Sequence, residues 1–143
     1  RILTSIDDET LRLAIDEVRG VAARLDDKEN TLRIIYPNDV RAIARRMACI
    51  EAPGAVGEEC KGLILLAYFS KPEGVSEAQQ QAALSRFGLE QNLASVVVNR
   101  EGEHVVKSYI IFDGGITLSN LVVQVALFAE SAKTYREMLY SEG

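Results

Sequence analysis

Tryptophan is absent from this 143-residue chain, aromatic residues make up only 6% of it, and histidine occurs once. Without ring faces to stack on, a sugar-binding platform or an aromatic nucleic-acid surface is disfavoured. The single histidine, His104, rules out zinc sets that need two or more, and the two cysteines have no finger-like spacing to it. No segment reaches the ~18–20 continuous apolar residues of a membrane span. The longest apolar runs, Leu63–Phe69 and Leu121–Val123 with Val125–Ala129, have the size of core elements. Neither G-x-G-x-x-G nor G-K-[ST] occurs, which removes the usual dinucleotide and phosphate-cradling loops. No repeat, low-complexity tract or flexible linker divides the chain, and residues 1–143 are expected to form one domain.

What is present is an ordinary globular mixture, 48% apolar and 26% charged, which supports a core at this length and argues against disorder. The net charge of −5 repels phosphate backbones, so nucleic acid is not expected as a partner. One stretch runs against that sign: Arg33, Arg41, Arg45 and Arg46. It reads either as a solvated strand or helix face, or as a patch for an anion or an acidic partner. The chain begins at Arg1, where a cleaved signal peptide, a trimmed boundary and a tag scar all fit.

The order of elements follows from periodicity and punctuation. Leu11, Ala14, Ile15 and Val18 repeat at helical spacing behind Asp7, Asp8 and Glu9, with Ser5 expected as the N-cap and Gly20 as the stop. A weak strand is expected over Val21–Leu25, and a turn over Asp26–Asn30. Thr31–Tyr36 alternates with Leu32, Ile34 and Tyr36 on one side, a half-buried strand that ends at the turn Pro37-Asn38-Asp39. Val40–Ile50 fits both periods: Val40, Ile43, Ala44 and Met47 as a helix, or Arg41, Ile43, Arg45, Met47 and Cys49 as one face of a strand. Glu51–Glu59, with Pro53, Gly54 and Gly57, reads as a loop. Lys61–Ser70 reads as a central strand, and Pro72-Glu73-Gly74 as a break. Ser76 and Gln79 resemble a capping box for a helix over Glu77–Arg86. Ala94–Asn99 and His104–Phe112 form a hairpin about Asn99-Arg100-Glu101-Gly102. Asp113-Gly114-Gly115 turns the chain into a long final helix capped by Thr117, with Leu118, Leu121, Val122, Val125, Phe128, Ala129, Ala132, Tyr135 and Leu139 on its core face. The order is α-β-β-β-β-α-β-β-α. Hairpins dominate over crossovers, so an α+β fold is expected, with a mainly antiparallel sheet carrying the N- and C-terminal helices.

Residues that could carry catalysis are few. His104 starts a hairpin strand and reads as an exposed strand residue without a visible acid, base or metal partner. Asp7-Asp8-Glu9 is accounted for by a helix N-terminus, Asp26-Asp27 by a turn and Glu58-Glu59 by a loop. Asp26–Asn30 is too short for a calcium-binding hand. Asp113-Gly114-Gly115 fits a tight turn that needs positive φ better than an anion cradle. The serines at 70, 76, 85, 95, 108 and 119 have no nucleophile-elbow context. No catalytic, cofactor-binding or metal site is expected, and no enzyme.

Cys49 and Cys60 are more informative. They flank the Pro/Gly loop, and an antiparallel pair joined by such a loop brings its α-carbons within bridging distance. A disulfide there would place the protein in an oxidising compartment, periplasmic or secreted. The other reading is two unpaired thiols in a cytoplasmic protein.

With these elements in place, the chain resembles the YbjN family, whose members carry the label of bacterial sensory transduction regulators and share a type III secretion chaperone-like fold. The residues that carry the resemblance are Cys60-Lys61-Gly62-Leu63-Ile64-Leu65-Leu66-Ala67-Tyr68-Phe69, Val98-Asn99-Arg100-Glu101-Gly102, Gly114-Gly115-Ile116-Thr117-Leu118-Ser119-Asn120-Leu121 and the ending Tyr135-Arg136-Glu137-Met138-Leu139. The resemblance favours a strand over Val40–Ile50. Exported members are similar in carrying a cysteine pair where Cys49 and Cys60 stand. Where the family often shows asparagine–aromatic–asparagine, this chain has Ser85-Arg86-Phe87-Gly88, so no role of those asparagines carries over. The resemblance implies a type III secretion chaperone-like domain without enzymatic activity, acting as a homodimer or on a protein client. Self-association is also expected because Val123, Leu127, Tyr109 and Ile111 fall outside the simplest core stripe. The alternative function is a small-molecule or signal-sensing domain with its ligand between sheet and helix.

Overall fold

The computed structural model describes residues 1–25, 30–50, 59–70, 72–90 and 93–140. Eight strands and three helices occur among them: β1 (Ile2–Leu3), α1 (Asp8–Glu17), β2 (Val21–Arg24), β3 (Thr31–Ile35), β4 (Arg41–Ile50), β5 (Glu59–Phe69), α2 (Glu77–Glu90), β6 (Ser95–Val98), β7 (His104–Ile111), β8 (Ile116–Thr117) and α3 (Leu118–Tyr140). Six strands form one sheet in the order β2-β3-β4-β5-β7-β6, every neighbouring pair antiparallel. This is the expected α+β architecture with a mainly antiparallel sheet. Val40–Ile50 resolves as a strand from Arg41 onward, its side chains alternating across the sheet. The turn expected at Asp26–Asn30 and the loop at Glu51–Glu59 lie outside the described residues, apart from Asn30 and Glu59.

Period-2 alternation directs Leu32, Ile34, Ala42, Ala44, Leu63, Leu65, Ala67, Val106, Ile110 and Phe112 to the face that the helices cover, where all are buried. Helix α1 contributes Leu11, Ala14 and Ile15, α2 contributes Ala83 and Phe87, and α3 contributes Leu121, Val125, Phe128, Ala132, Tyr135 and Leu139 to the same core. Each fully buried Leu, Ile or Phe is worth roughly 1.5–3 kcal/mol. The turn between β3 and β4 is tied to α3 by three bonds. The Tyr36 hydroxyl donates to the Val125 carbonyl (3.0 Å), Asn38 Nδ2 donates to the Ala129 carbonyl (3.1 Å), and Arg136 Nη2 donates to the Asn38 carbonyl (3.3 Å). Burial pushes the Tyr36 phenol well above its usual range, so it stays a donor.

Several local expectations change. The cap of α1 is Asp7, whose carboxylate accepts from the Thr10 amide at 2.8 Å, rather than Ser5. Ile6 explains the shift: it is fully buried and exchanges two backbone hydrogen bonds with Cys60, which holds Ile6 extended and keeps the helix from starting before Asp7. Burial alone would raise the Asp7 carboxyl, but the Thr10 hydrogen bonds together with Arg46 and Arg1 outweigh it and hold it below its ordinary range. The left-handed residue after α1 is Arg19 (φ 60°), not Gly20. Gly20 serves packing instead, since a Cβ there would lie 2.9 Å from Ile15 Cγ2 and 3.2 Å from Ile34 Cγ2. Helix α2 runs to Glu90, past Arg86, with Ser76 Oγ accepting from the Gln79 amide as expected.

Strands β1 and β8, missing from the expected order, pair Ile2 with Thr117 and Leu3 with Ile116. Two residues are too few for a periodic signal. Gly114 and Gly115 both take positive φ between β7 and β8. At Gly115 a side chain would also meet Ile2 Cγ2 at 2.7 Å, so the turn needs glycine both for its backbone and to admit β1. Thr117 Oγ1 then accepts from the Asn120 amide and caps α3, as expected.

Candidate interaction surface

All three helices feed one core on one side of the sheet, and the same alternation that fills that core sends every second strand residue to the opposite face. That face carries Ile43, Ile64, Leu66 and Val105 as a small apolar floor; the last three are 5–7% exposed. No helix packs on them. Ile43 packs against the other three, and on the same face Ile35, Met47, Tyr68, Val97, Tyr109 and Ile111 stand 38–61% exposed. The near-continuous apolar run of β5 has its explanation here. Leu63, Leu65 and Ala67 face the helices, and Ile64 and Leu66 form the centre of the uncovered side.

The register adds a second property to this face. Arg33 lies opposite Ile43, Arg41 opposite Ile35, Arg45 opposite Ile64, and Lys107 opposite Leu66. The basic stretch read from the sequence is thus divided: Arg33, Arg41 and Arg45 share the uncovered face, while Arg46 points the other way. There Arg46 reaches Asn30 Oδ1 at 3.0 Å and Cys60 Sγ at 3.6 Å. Lys107 Nζ lies 5.8 Å from the centroid of the Tyr109 ring, a cation–π arrangement.

Cys49 and Cys60 face each other at the end of the β4–β5 pair, Cα atoms 3.8 Å apart, and are joined as a disulfide with S–S 2.07 Å. Cys60 is fully buried, between Cys49 on one side and Ile6 on the other. The cysteine pair therefore lies where the N-terminal segment, β4 and β5 meet.

His104 departs from its expected exposure. It is fully buried, stacked on Tyr135 with ring centroids 5.7 Å apart. Nε2 lies 3.0 Å from Gln80 Oε1, which only accepts, so Nε2 carries the proton; Nδ1 then accepts from the Tyr135 hydroxyl at 2.5 Å. Gln80 Nε2 donates in turn to the Val75 carbonyl at 3.2 Å. Desolvation lowers the His104 pKa and raises that of Tyr135, so both hold the neutral forms this chain of bonds requires. The network ties β7, α2 and α3 together. One signal could have revealed it: His104 shares the strand parity of Val106, Ile110 and Phe112, the helix-facing residues.

No group of three or more His, Cys, Asp or Glu among the described residues is arranged to hold a metal ion. No described helix is long and apolar enough to cross a membrane. A cleft of about 450 Å³ runs along α1 and the edge strand β2, lined by Glu9, Arg12, Leu13, Asp16 and Val21 among others. It is open-sided, and Arg12 is engaged with Asp8 at 2.7 Å, so it offers a small ligand little of the enclosure such sites usually have. Val123 and Leu127 are exposed on α3, Leu127 beside Leu93, Ala94 and Ser108 on the helix side of the sheet, whereas Tyr109 and Ile111 stand on the opposite face, so these four residues do not form one patch.

No family model matches this sequence and no curated protein matches it significantly. The fold is nevertheless YbjN-like. Over 97% of this chain and 92% of that one it superposes on the crystal structure of YbjN from E. coli, with a TM-score of 0.63 and 14% identity. An uncharacterised protein from Methanothermobacter thermautotrophicus is similar over 94% of this chain and 96% of its own, with a TM-score of 0.56 and 16% identity. A chain from the HopA1–SchA chaperone–effector complex is similar over 92% of this chain and 98% of its own, with a TM-score of 0.55 and 13% identity. The type III secretion chaperone-like fold expected from the sequence is therefore the fold observed.

Proposed function

We propose that this protein is a non-catalytic protein-interaction module whose docking surface is the uncovered face of the six-stranded sheet. The observation that carries the proposal is the apolar floor of Ile43, Ile64, Leu66 and Val105, ringed by exposed Tyr68, Val97, Tyr109 and Ile111 and covered by none of the three helices. A concentrated apolar patch of this kind marks an interaction site on a soluble domain. A chaperone–effector complex among the similar structures supports a protein client as occupant. Self-association belongs to the proposal and is assigned to α3, around Val123 and Leu127, which leaves the uncovered sheet face free. The Cys49–Cys60 bridge supports a periplasmic or secreted location over a cytoplasmic one.

Site-specific photo-crosslinking in the native host tests the docking surface. A benzophenone side chain at Tyr109 or Val97 should give discrete adducts with one protein, and the same probe at Leu89, exposed on α2, should not. Adducts absent from both sheet positions, or equal at Leu89, would refute the reading.

A further inference from the structure

We propose that the segment docking on the uncovered sheet face is an acidic amphipathic peptide, in which carboxylates alternate with apolar side chains. This inference rests on the reading of that face as a protein-docking surface and names its partner. It starts from the checkerboard that the register creates. Arg33, Arg41, Arg45 and Lys107 each stand directly across from an apolar residue, and no strand position on this face carries a carboxylate. Every described carboxylate instead sits on a helix or its cap, in a turn, or at a strand end. None of the four cations makes an ion pair among the described residues; the three pairs present all join residues within a helix. In a chain of net charge −5, a face whose described residues carry four cations outside any ion pair and no anion calls for negative charge from outside.

The same pattern argues against a second copy on this face. A two-fold contact places a patch against itself, which would bring four cations against four, with no carboxylate on either sheet face to separate them. It also argues against a lipid surface. A bilayer separates charge from hydrocarbon by depth, whereas here cationic and apolar side chains alternate within one plane, at strand spacings of about 4.8 Å and about 6.8 Å between alternate residues. A peptide offers that arrangement. Neighbouring side chains on one face of a helix lie about 5–6 Å apart, and an extended strand repeats its own face every second residue.

Panning a phage-displayed library of random peptides, each about 16 residues long, against the intact protein tests the inference. Enriched binders are synthesised and their footprint is mapped by amide chemical shifts. The expected binders interleave Asp or Glu with Leu, Ile or Phe, and they shift amides of β4, β5 and β7. Their affinity for wild-type protein should fall on the order of tenfold between about 0.05 and about 0.5 M salt, and by about tenfold in the R33Q/R41Q/R45Q variant. All three arginines are exposed, so the variant should keep its melting temperature; the wild-type salt series decides the question if it does not. Neutral or basic binders that shift the same strands and hold the variant equally well would overturn the acidic preference and leave the docking surface standing. Binders that never shift those strands would overturn both. Acidic binders failing while phosphatidylglycerol vesicles bind, or self-association lost in the variant, would assign the face to lipid or to a second copy and overturn the proposal.

Discussion

Replacing His104 by leucine removes a fully buried ring that satisfies two other polar groups, the Tyr135 hydroxyl and Gln80 Oε1. A buried polar atom left without its partner costs about 1–3 kcal/mol, and Gln80 is only half-buried, so the H104L variant should lose about 2–5 kcal/mol. An unfolding entropy of about 2.1 cal/mol/K per residue makes one kcal/mol worth roughly 3 °C at this chain length, so the melting temperature should drop by about 6–16 °C. Thermal and urea unfolding measure it. The Tyr135→Phe variant loses one bond of the same network, and the H104L/Y135F double variant should cost less than the sum of the two by about 1 kcal/mol or more. A pH series adds a second readout, because His104 is the only histidine in the chain. Desolvation lowers its pKa in the folded state, so the unfolded chain binds the proton more readily. The stability contributed by this group is therefore fully present above its ordinary value of 6.5 and lost as the pH falls below it. This acid-side loss should be smaller in H104L. A variant within about 0.5 kcal/mol of wild type, or one with an unchanged acid limb, would refute the buried network.

Two further outcomes follow from the cysteine pair and from the exposed residues of α3. Protein isolated without reductant should be about two mass units lighter than the dithiol, and the C49A/C60A variant should lose about 3 kcal/mol of stability in the chain-entropy view; two freely alkylated thiols in native protein would refute the bridge and the argument for export. Light scattering at micromolar concentration should give twice the chain mass of 15.7 kDa, reverting to the single-chain value in V123E/L127E; a wild-type mass that stays at one chain would remove the dimer.

Strand and helix periods, turn chemistry and element order were legible because they depend on neighbours within a few residues. Alternation along Thr31–Tyr36, the Asn99–Gly102 turn and the α3 stripe are local facts that the tertiary structure only positions. Val40–Ile50 was not legible from its own residues. It satisfies both periods, and pairing with β3 and β5 selects the strand. The cap of α1 moved from Ser5 to Asp7 because a backbone contact with Cys60, 54 positions away, holds Ile6 extended. Burial of His104 likewise depends on Tyr135 and Gln80 arriving from two helices. The sequence alone showed a basic stretch of Arg33, Arg41, Arg45 and Arg46, but not that three of them share a face with the apolar floor or that the helices leave that face bare. The helices all lie on one side because the longer apolar stripes of α1 and α3 and the buried Phe87 of α2 converge on one face of the sheet. Which side of a sheet is covered, and which opposite-strand residue stands beside each arginine, are set by register and layer packing, and no local segment encodes them.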